Sequence, residues 1–303
     1  FLETGISTEG IRMENIINIQ NLTKYYGKHR GIEDLSLSVR KGEVFGFIGP
    51  NGAGKSTTIR AMMGLLIPTA GKVEIFGLSV REHKTDILRR IGYMPSETTF
   101  YSGMRVSEVI RFSAGLYGKD CREEAECLCE RLKLDMKKKV EELSLGNRKK
   151  VGIICAFQHE ADLYILDEPT SGLDPLMQKE FFSLVREKSG GGAAVFLSSH
   201  ILSEIRRYCH RAAIVRDGHL IVEDDVKTIC HSSAKRVTIQ GIEEVPGIQA
   251  KDVIRGDGSV SFLYNGTMSE LIRALQGLAV EDLTITEPDL EETFLHFYEG
   301  GKR

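Results

Sequence analysis

Apolar positions along the chain fall into two rhythms. Short, nearly continuous apolar runs at "EVFGFIG" (43–49), "KVEIFG" (72–77), "DLYILD" (162–167) and "AAVFLSS" (193–199) read as strands. Between them "KSTTIRAMMGLL" and "HILSEIRRYC" carry the spacing of helices. This alternation, running from about residue 15 to 225, predicts an α/β fold built on a largely parallel sheet wrapped by helices. In "RAAIVRDGHLIVED" the dipeptide Asp217-Gly218 marks a tight hairpin turn. Between Met104 and Glu160 the strand pattern stops. There "VSEVIRFSAGLYG" and "CREEAECLCERLKL" predict an all-helical subdomain, about 98–160, inserted in the α/β body. The main domain is expected over 13–230. Beyond it, "KRVTIQ", "SVSFLYN" and "VEDLTITE" read as strands, and "TMSELIRALQ" and "DLEETFLHFYEG" as helices. They predict a small α+β accessory domain over 231–303. Residues 1–12, "FLETGISTEGIR", read as an expression-derived or flexible leader ahead of Met13.

Composition narrows the class. A chain of 303 residues suits one large domain plus a small one. Apolar and charged shares of 41% and 27% fit a soluble globular protein. A net charge of −3 gives no reason to expect a nucleic-acid partner. No run approaches the ~18 apolar residues of a membrane-spanning helix, so any membrane part is expected on another chain. The six cysteines lack CxxC spacing and read as reduced cytosolic thiols.

The strongest chemical signal is "GPNGAGKST" (49–57). Gly49, Gly54, Lys55 and Ser56 satisfy the G-x-x-x-x-G-K-[ST] phosphate loop, filled by Pro50, Asn51, Gly52 and Ala53 and followed by Thr57. Glycines let the backbone wind closely round phosphates with N–H groups pointing inward, and the helix that follows adds its positive end. Lys55 would reach the β and γ phosphates, and the Ser56 hydroxyl would bind Mg²⁺. Average residue usage makes a chance match roughly a 1% event, before the strand–turn–helix context is required. Downstream, "LYILDEPTSGLDP" (163–175) delivers Asp167 and Glu168 at the C-terminal edge of a strand, where ligands sit in open α/β sheets. Asp167 would hold Mg²⁺ through its waters, and Glu168 would polarise the attacking water. An acidic cap on a strand edge is the plainer alternative, and the phosphate loop upstream outweighs it.

"ELSLGNRKKVGI" (142–153) resembles the signature sequence of ATP-binding cassette (ABC) proteins. "SGLDP" (171–175) resembles their D-loop, "FLSSH" (196–200) their switch histidine and "LTKYYG" (22–27) their adenine-stacking loop, in family order over about residues 15–225. The resemblance implies a P-loop NTPase fold of the ABC nucleotide-binding type, an ATPase using ATP and Mg²⁺. It implies Tyr26 against adenine, with Tyr25 as the adjacent competitor, and His200 at the γ-phosphate. Ser144 and Gly146 would cap the ATP of an opposite subunit and Asp174 would contact that subunit, so the chain is expected to form a head-to-tail homodimer or paired cassette. Arg148, Lys149 and Lys150 oppose the helix dipole by ~0.3–1 kcal/mol each unless an anion offsets them. They read either as part of an anion site or as a solvated basic face.

Two departures stand out. Leu145 and Asn147 replace the usual Gly and Gln of the signature, while Ser144 and Gly146 remain. In "IGYMPSETTF" (91–100), Ser96 stands where the family has a glutamine that reaches Mg²⁺ and the attacking water. Three readings stay open there. Glu97 reaches in, a water bridges from Ser96, or the loop is only a mechanical hinge that senses a permease. Phe100 and Tyr101 beside it read as permease contacts or as core residues. The resemblance thus implies the ATPase subunit of an ABC transporter, cytoplasmic and peripheral at the inner face of the cell membrane, driving a separately encoded transmembrane permease. The tail "LEETFLHFYEG" resembles exporter-type ATPases of drug, antibiotic or sodium efflux. The alternative is a soluble cassette protein acting on ribosomes or DNA. Such relatives carry two cassettes or long coiled coils, and neither pattern occurs in the sequence.

Overall fold

The computed structural model describes residues 14–231 and 235–286. The leader 1–12 and the tail motif at 290–300 lie outside the described residues. The chain divides into two compact units. One holds the residues up to His200 with Arg207–Glu223, and the other Ile201–Arg206 with the residues from Asp224 onward.

The first unit opens with β1 (Asn15–Tyr26) and β2 (His29–Arg40), which pair antiparallel. There follow β3 (Val44–Ile48), α1 (Lys55–Met62), β4 (Ala70–Ile75), β5 (Leu78–Ser79), α2 (Lys84–Leu88) and β6 (Ile91–Met94). The helical segment comprises α3 (Val106–Tyr117), α4 (Arg122–Arg131) and α5 (Leu145–Phe157). The chain then runs through β7 (Leu163–Asp167), α6 (Pro175–Gly190), β8 (Ala194–Ser199), α7 (Leu202–Tyr208), β9 (Arg211–Arg216) and β10 (His219–Asp225).

Burial explains two kinds of sheet. Every residue of β3, β7 and β8 is buried, the mark of central strands covered on both faces. They lie in a six-stranded sheet of order β10-β9-β3-β8-β7-β6, where β9, β3, β8, β7 and β6 pair in parallel. β1 instead turns Ile17, Ile19 and Leu22 inward and leaves Asn18, Gln20 and Asn21 outside or half-buried. That one-sided pattern suits an antiparallel sheet with a wet face. β1, β2, β4 and β5 accordingly form a separate four-stranded sheet, order β2-β1-β4-β5, where the sequence pattern predicted continuity of a largely parallel one. A core of Ile17, Ile19, Ile32, Phe45, Phe47, Ile59, Met62, Ile75 and Phe196 joins this sheet, α1 and the parallel sheet. Asp217 and Gly218 have φ of 48° and 80°, as a primed hairpin turn requires.

The second unit contains α8 (Val226–His231), β11 (Lys235–Gln240), β12 (Ala250–Gly256), β13 (Ser259–Tyr264), α9 (Met268–Leu275) and β14 (Asp282–Thr286). Its strands form an antiparallel sheet of order β12-β13-β11-β14. Val237, Ile239, Val260, Phe262, Tyr264 and Leu271 make its own core. Thr267 caps α9 reciprocally with Glu270.

Candidate functional site

Strand register assembles the site. β3 and β8 pair Phe47 with Ser198 and Ile48 with Ser199, while β7 pairs Asp167 with Ser198. The start of the phosphate loop, Asp167 and Ser198 therefore emerge side by side at the C-terminal ends of adjacent strands. Gly54 precedes α1 with φ of 102°. A Cβ there would lie 2.6 Å from Ile32 Cγ2 and 2.7 Å from the Gly31 carbonyl, so only glycine fits this turn.

Lys55 is buried, and its Nζ donates to the carbonyls of Gly49 at 2.7 Å and Pro50 at 3.1 Å. The same Nζ lies 3.2 Å from Glu168 Oε1. Nδ1 of His200, directly after β8, lies 3.3 Å from Glu168 Oε2. The Glu168 carboxylate is thus held between the phosphate-loop lysine and the switch histidine. Its backbone has φ of 46°, a conformation disfavoured for a residue with a side chain. Ser198 stabilises it, accepting from the Glu168 N–H at both its carbonyl, 3.2 Å, and its Oγ, 3.0 Å.

Asp167 is buried and accepts from Ser56 Oγ at 3.0 Å and from Ser198 Oγ at 2.5 Å. A hydroxyl and a carboxylate side by side form the hard, all-oxygen set that suits Mg²⁺, which is typically held by one or two carboxylates together with substrate phosphates. The residues fit the ion.

Tyr26 lies at the edge of the same region. A Cβ on Gly31 would meet Tyr26 Cε2 at 2.9 Å and Thr57 Cγ2 at 3.2 Å, so the ring and the start of α1 flank one glycine. Tyr26 is 46% exposed, with Lys24 Nζ 5.4 Å from its ring centroid. The Tyr25 hydroxyl is instead engaged by Glu33, which pushes its pKa up.

The signature residues form a second cluster. Ser144 is the N-cap of α5, its Oγ accepting from the Asn147 N–H at 3.4 Å. A Cβ on Gly146 would lie 2.8 Å from the Gly172 carbonyl, so the signature and the D-loop touch. Asp174 caps α6, its Oδ1 accepting from the N–H groups of Leu176 and Met177 at 3.0 Å each. The contact the structure gives Asp174 is therefore to its own helix.

One sequence reading is corrected. The solvated-face reading fails for Lys149, which is buried, its Nζ donating to the Ser96 carbonyl at 2.6 Å and the Glu168 carbonyl at 3.1 Å. Burial pulls its pKa down, opposed by the charges of Asp167, Glu168 and Glu97. Its spacing from Ile153 and Ala156, both buried on α5, was the available signal. Ser96 is half-buried, and no hydrogen bond among the described residues joins its hydroxyl to Ser56 or Asp167. It is the Ser96 main chain that is engaged, while Glu97 is exposed. Beyond this loop, Phe100, Tyr101, Met104, Phe112 and Leu116 line a groove of about 460 Å³. Tyr101 is 73% exposed and meets Phe112 edge to face. Among the described residues no helix is long and apolar enough to cross a membrane.

Residues 32–171 match the sequence model of the ABC transporter family. The chain is 33% identical over 306 residues to the bacitracin transport ATP-binding protein BcrA of Bacillus licheniformis, covering 95% of this chain and 99% of that protein. It is 35% identical over 229 residues to the probable multidrug ABC transporter ATP-binding protein YbhF of Escherichia coli (strain K12), covering 73% of this chain and 39% of that protein. A solved structure of the ATP-binding subunit of an ABC transporter is 32% identical with a TM-score of 0.68, over 71% of this chain and 91% of its own. With phosphate loop, acidic strand end and signature helix set in this fold, the chain belongs to the ATP-binding proteins of ABC transporters and is an ATPase.

Proposed function

We propose that the protein hydrolyses ATP as a head-to-tail dimer at the inner face of the cell membrane, powering a separate permease that exports its cargo. The observation that carries the catalytic part is the Glu168 carboxylate, held 3.2 Å from Lys55 and 3.3 Å from His200 beside the phosphate loop. Lys55 and the backbone of residues 49–57 bind the phosphates, and Tyr26 supports the adenine. Ser56 and Asp167 would hold Mg²⁺, which supplies charge neutralisation on the phosphates when bound. Glu168 accepts the proton of the attacking water as general base, and His200 orients it. Phosphoryl transfer asks little more of a protein than positioning and charge stabilisation, and these side chains provide both.

Ser144 is exposed at a helix start, and Gly146 lies beside the D-loop. A hydroxyl and free N–H groups there are suited to cap the nucleotide of a second cassette. The exposed Tyr101–Phe112 groove, next to the loop of Ser96, supports a permease contact, since surface aromatics are common anchors of interfaces. Export rests on the bacitracin-transport and probable multidrug relatives. Replacing Glu168 with Gln should cut turnover about 10²–10⁴-fold while ATP binding persists, and the variant should run as a dimer on gel filtration in Mg-ATP. Parent-like ATP hydrolysis by E168Q would refute the assignment of the base.

A further inference from the structure

Two lysines are buried among the described residues, Lys55 and Lys149. The phosphate loop accounts for Lys55 and leaves Lys149 without an assigned task. Taking an ammonium out of water is costly unless it is paired and hydrogen-bonded, and Lys149 is satisfied by two carbonyls from two different strand ends. β6 and β7 pair Met94 with Leu166. Ser96 and Glu168 each lie two residues past that pair, so one lysine head bridges matching positions beyond the sheet edge, at 2.6 and 3.1 Å.

The Glu168 peptide is thereby held from both sides. Ser198 receives its N–H, and Lys149 donates to its carbonyl. A left-handed backbone on a non-glycine residue persists only where its surroundings impose it, and the carboxylate direction follows from that backbone. One turn along α5, a Cβ on Gly152 would lie 2.5 Å from Thr98 Cγ2. The signature helix therefore grips the loop of Ser96 at two successive points, by a hydrogen bond and by close packing.

We propose that Lys149 is a positioning residue that ties the Ser96 loop to the backbone of Glu168, so that movement of the loop reaches the catalytic carboxylate through the lysine head. Serine at 96 is too short to span that gap with its side chain, and this link needs only its carbonyl. The inference rests on Glu168 being the general base.

The test compares K149M, which keeps length and removes the donors, with K149R, which restores donors, and with E168Q in parallel. In the full chain, K149M should lower kcat about ten- to a hundredfold, the scale of a misplaced catalytic group. Its KM for ATP and equilibrium ATP affinity should stay within about twofold of the parent, and K149R should recover most of the rate. A K149M kcat within about twofold of the parent overturns the proposal, as does a loss matched in ATP affinity with no recovery in K149R. If K149M does not fold, K149Q carries the test, because its amide can donate to one carbonyl. An intermediate kcat with unchanged ATP affinity supports the link, and a parent-like kcat overturns it. Turnover retained by E168Q removes the base reading and the inference together. An inactive E168Q beside a parent-like K149M removes the inference alone.

Discussion

Tyr25 and Tyr26 are adjacent, chemically alike and given different surroundings by one strand. Alternation along β1 turns the Tyr25 hydroxyl to Glu33 and leaves the Tyr26 ring exposed beside Gly31 and Thr57. An aromatic contact of the usual ~0.5–1.5 kcal/mol means that Tyr26→Ala weakens ATP binding about two- to tenfold, while Tyr25→Phe leaves it unchanged. Titration with a fluorescent ATP analogue separates the two, and the reverse order would move the adenine contact to Tyr25. At Asp174 a different outcome is expected. Its carboxylate caps α6 through two N–H groups, so Asp174→Ala should cost about 1 kcal/mol of stability in denaturant unfolding. The meeting of Lys55, Ser56 and Asp167 beside the phosphate loop was legible because motif spacing names them. Lys149 was not, since "RKK" does not show which of its side chains turns inward; only the packing of α5 does.

At the scale of elements, legibility followed burial. β3, β7 and β8 announce themselves as apolar runs because both faces are covered. β12 gave no such signal. Nearly every residue in it is exposed, and backbone pairing with β13 alone defines it. The end of α5 carries a pH-sensitive contact of the same packed kind. His159 is buried just past the helix, stacked on Tyr117 at 3.5 Å, with Nε2 3.2 Å from the Ile91 carbonyl. Burial pushes its pKa down to about 4; Lys119 and Lys188 act in the same direction, and the Ile91 carbonyl opposes them. Unfolded histidine titrates near ~6.5, so below that pH the unfolded chain binds the extra proton. Its neutral, buried form therefore contributes stability fully above about pH 6.5 and progressively less as pH falls towards about 4. The slope is at most about 1.4 kcal/mol per pH unit. Urea unfolding at about pH 7 and about pH 5 should show that loss, and His159→Phe should flatten it.

For the whole molecule, the proposed function has the surface beyond the Ser96 loop join hydrolysis to the permease. The Tyr101–Phe112 groove is apolar and open, and charge placed there should oppose docking. Tyr101→Glu combined with Phe112→Asp should reduce recruitment to vesicles that hold the co-expressed permease. Unchanged recruitment would remove this groove from the docking surface. In the chain of events proposed here, a permease pressing on this groove displaces residues 96–101, and Lys149 passes the displacement to Glu168. On that proposal the helical segment is as much a part of the ATPase as the phosphate loop.

The sequence by itself determined the cassette and its phosphate chemistry, because a phosphate loop is contiguous. Directly after a strand, one glycine turn and one helix start supply its backbone and side-chain groups within nine residues, "GPNGAGKST". Only the tertiary structure decided the surroundings of Glu168. Lys149 reaches Ser96 across 53 residues of sequence and Glu168 across 19, and strand register together with the rotation of α5 brings these groups together. Such contacts depend on how elements pack, which no local spacing encodes.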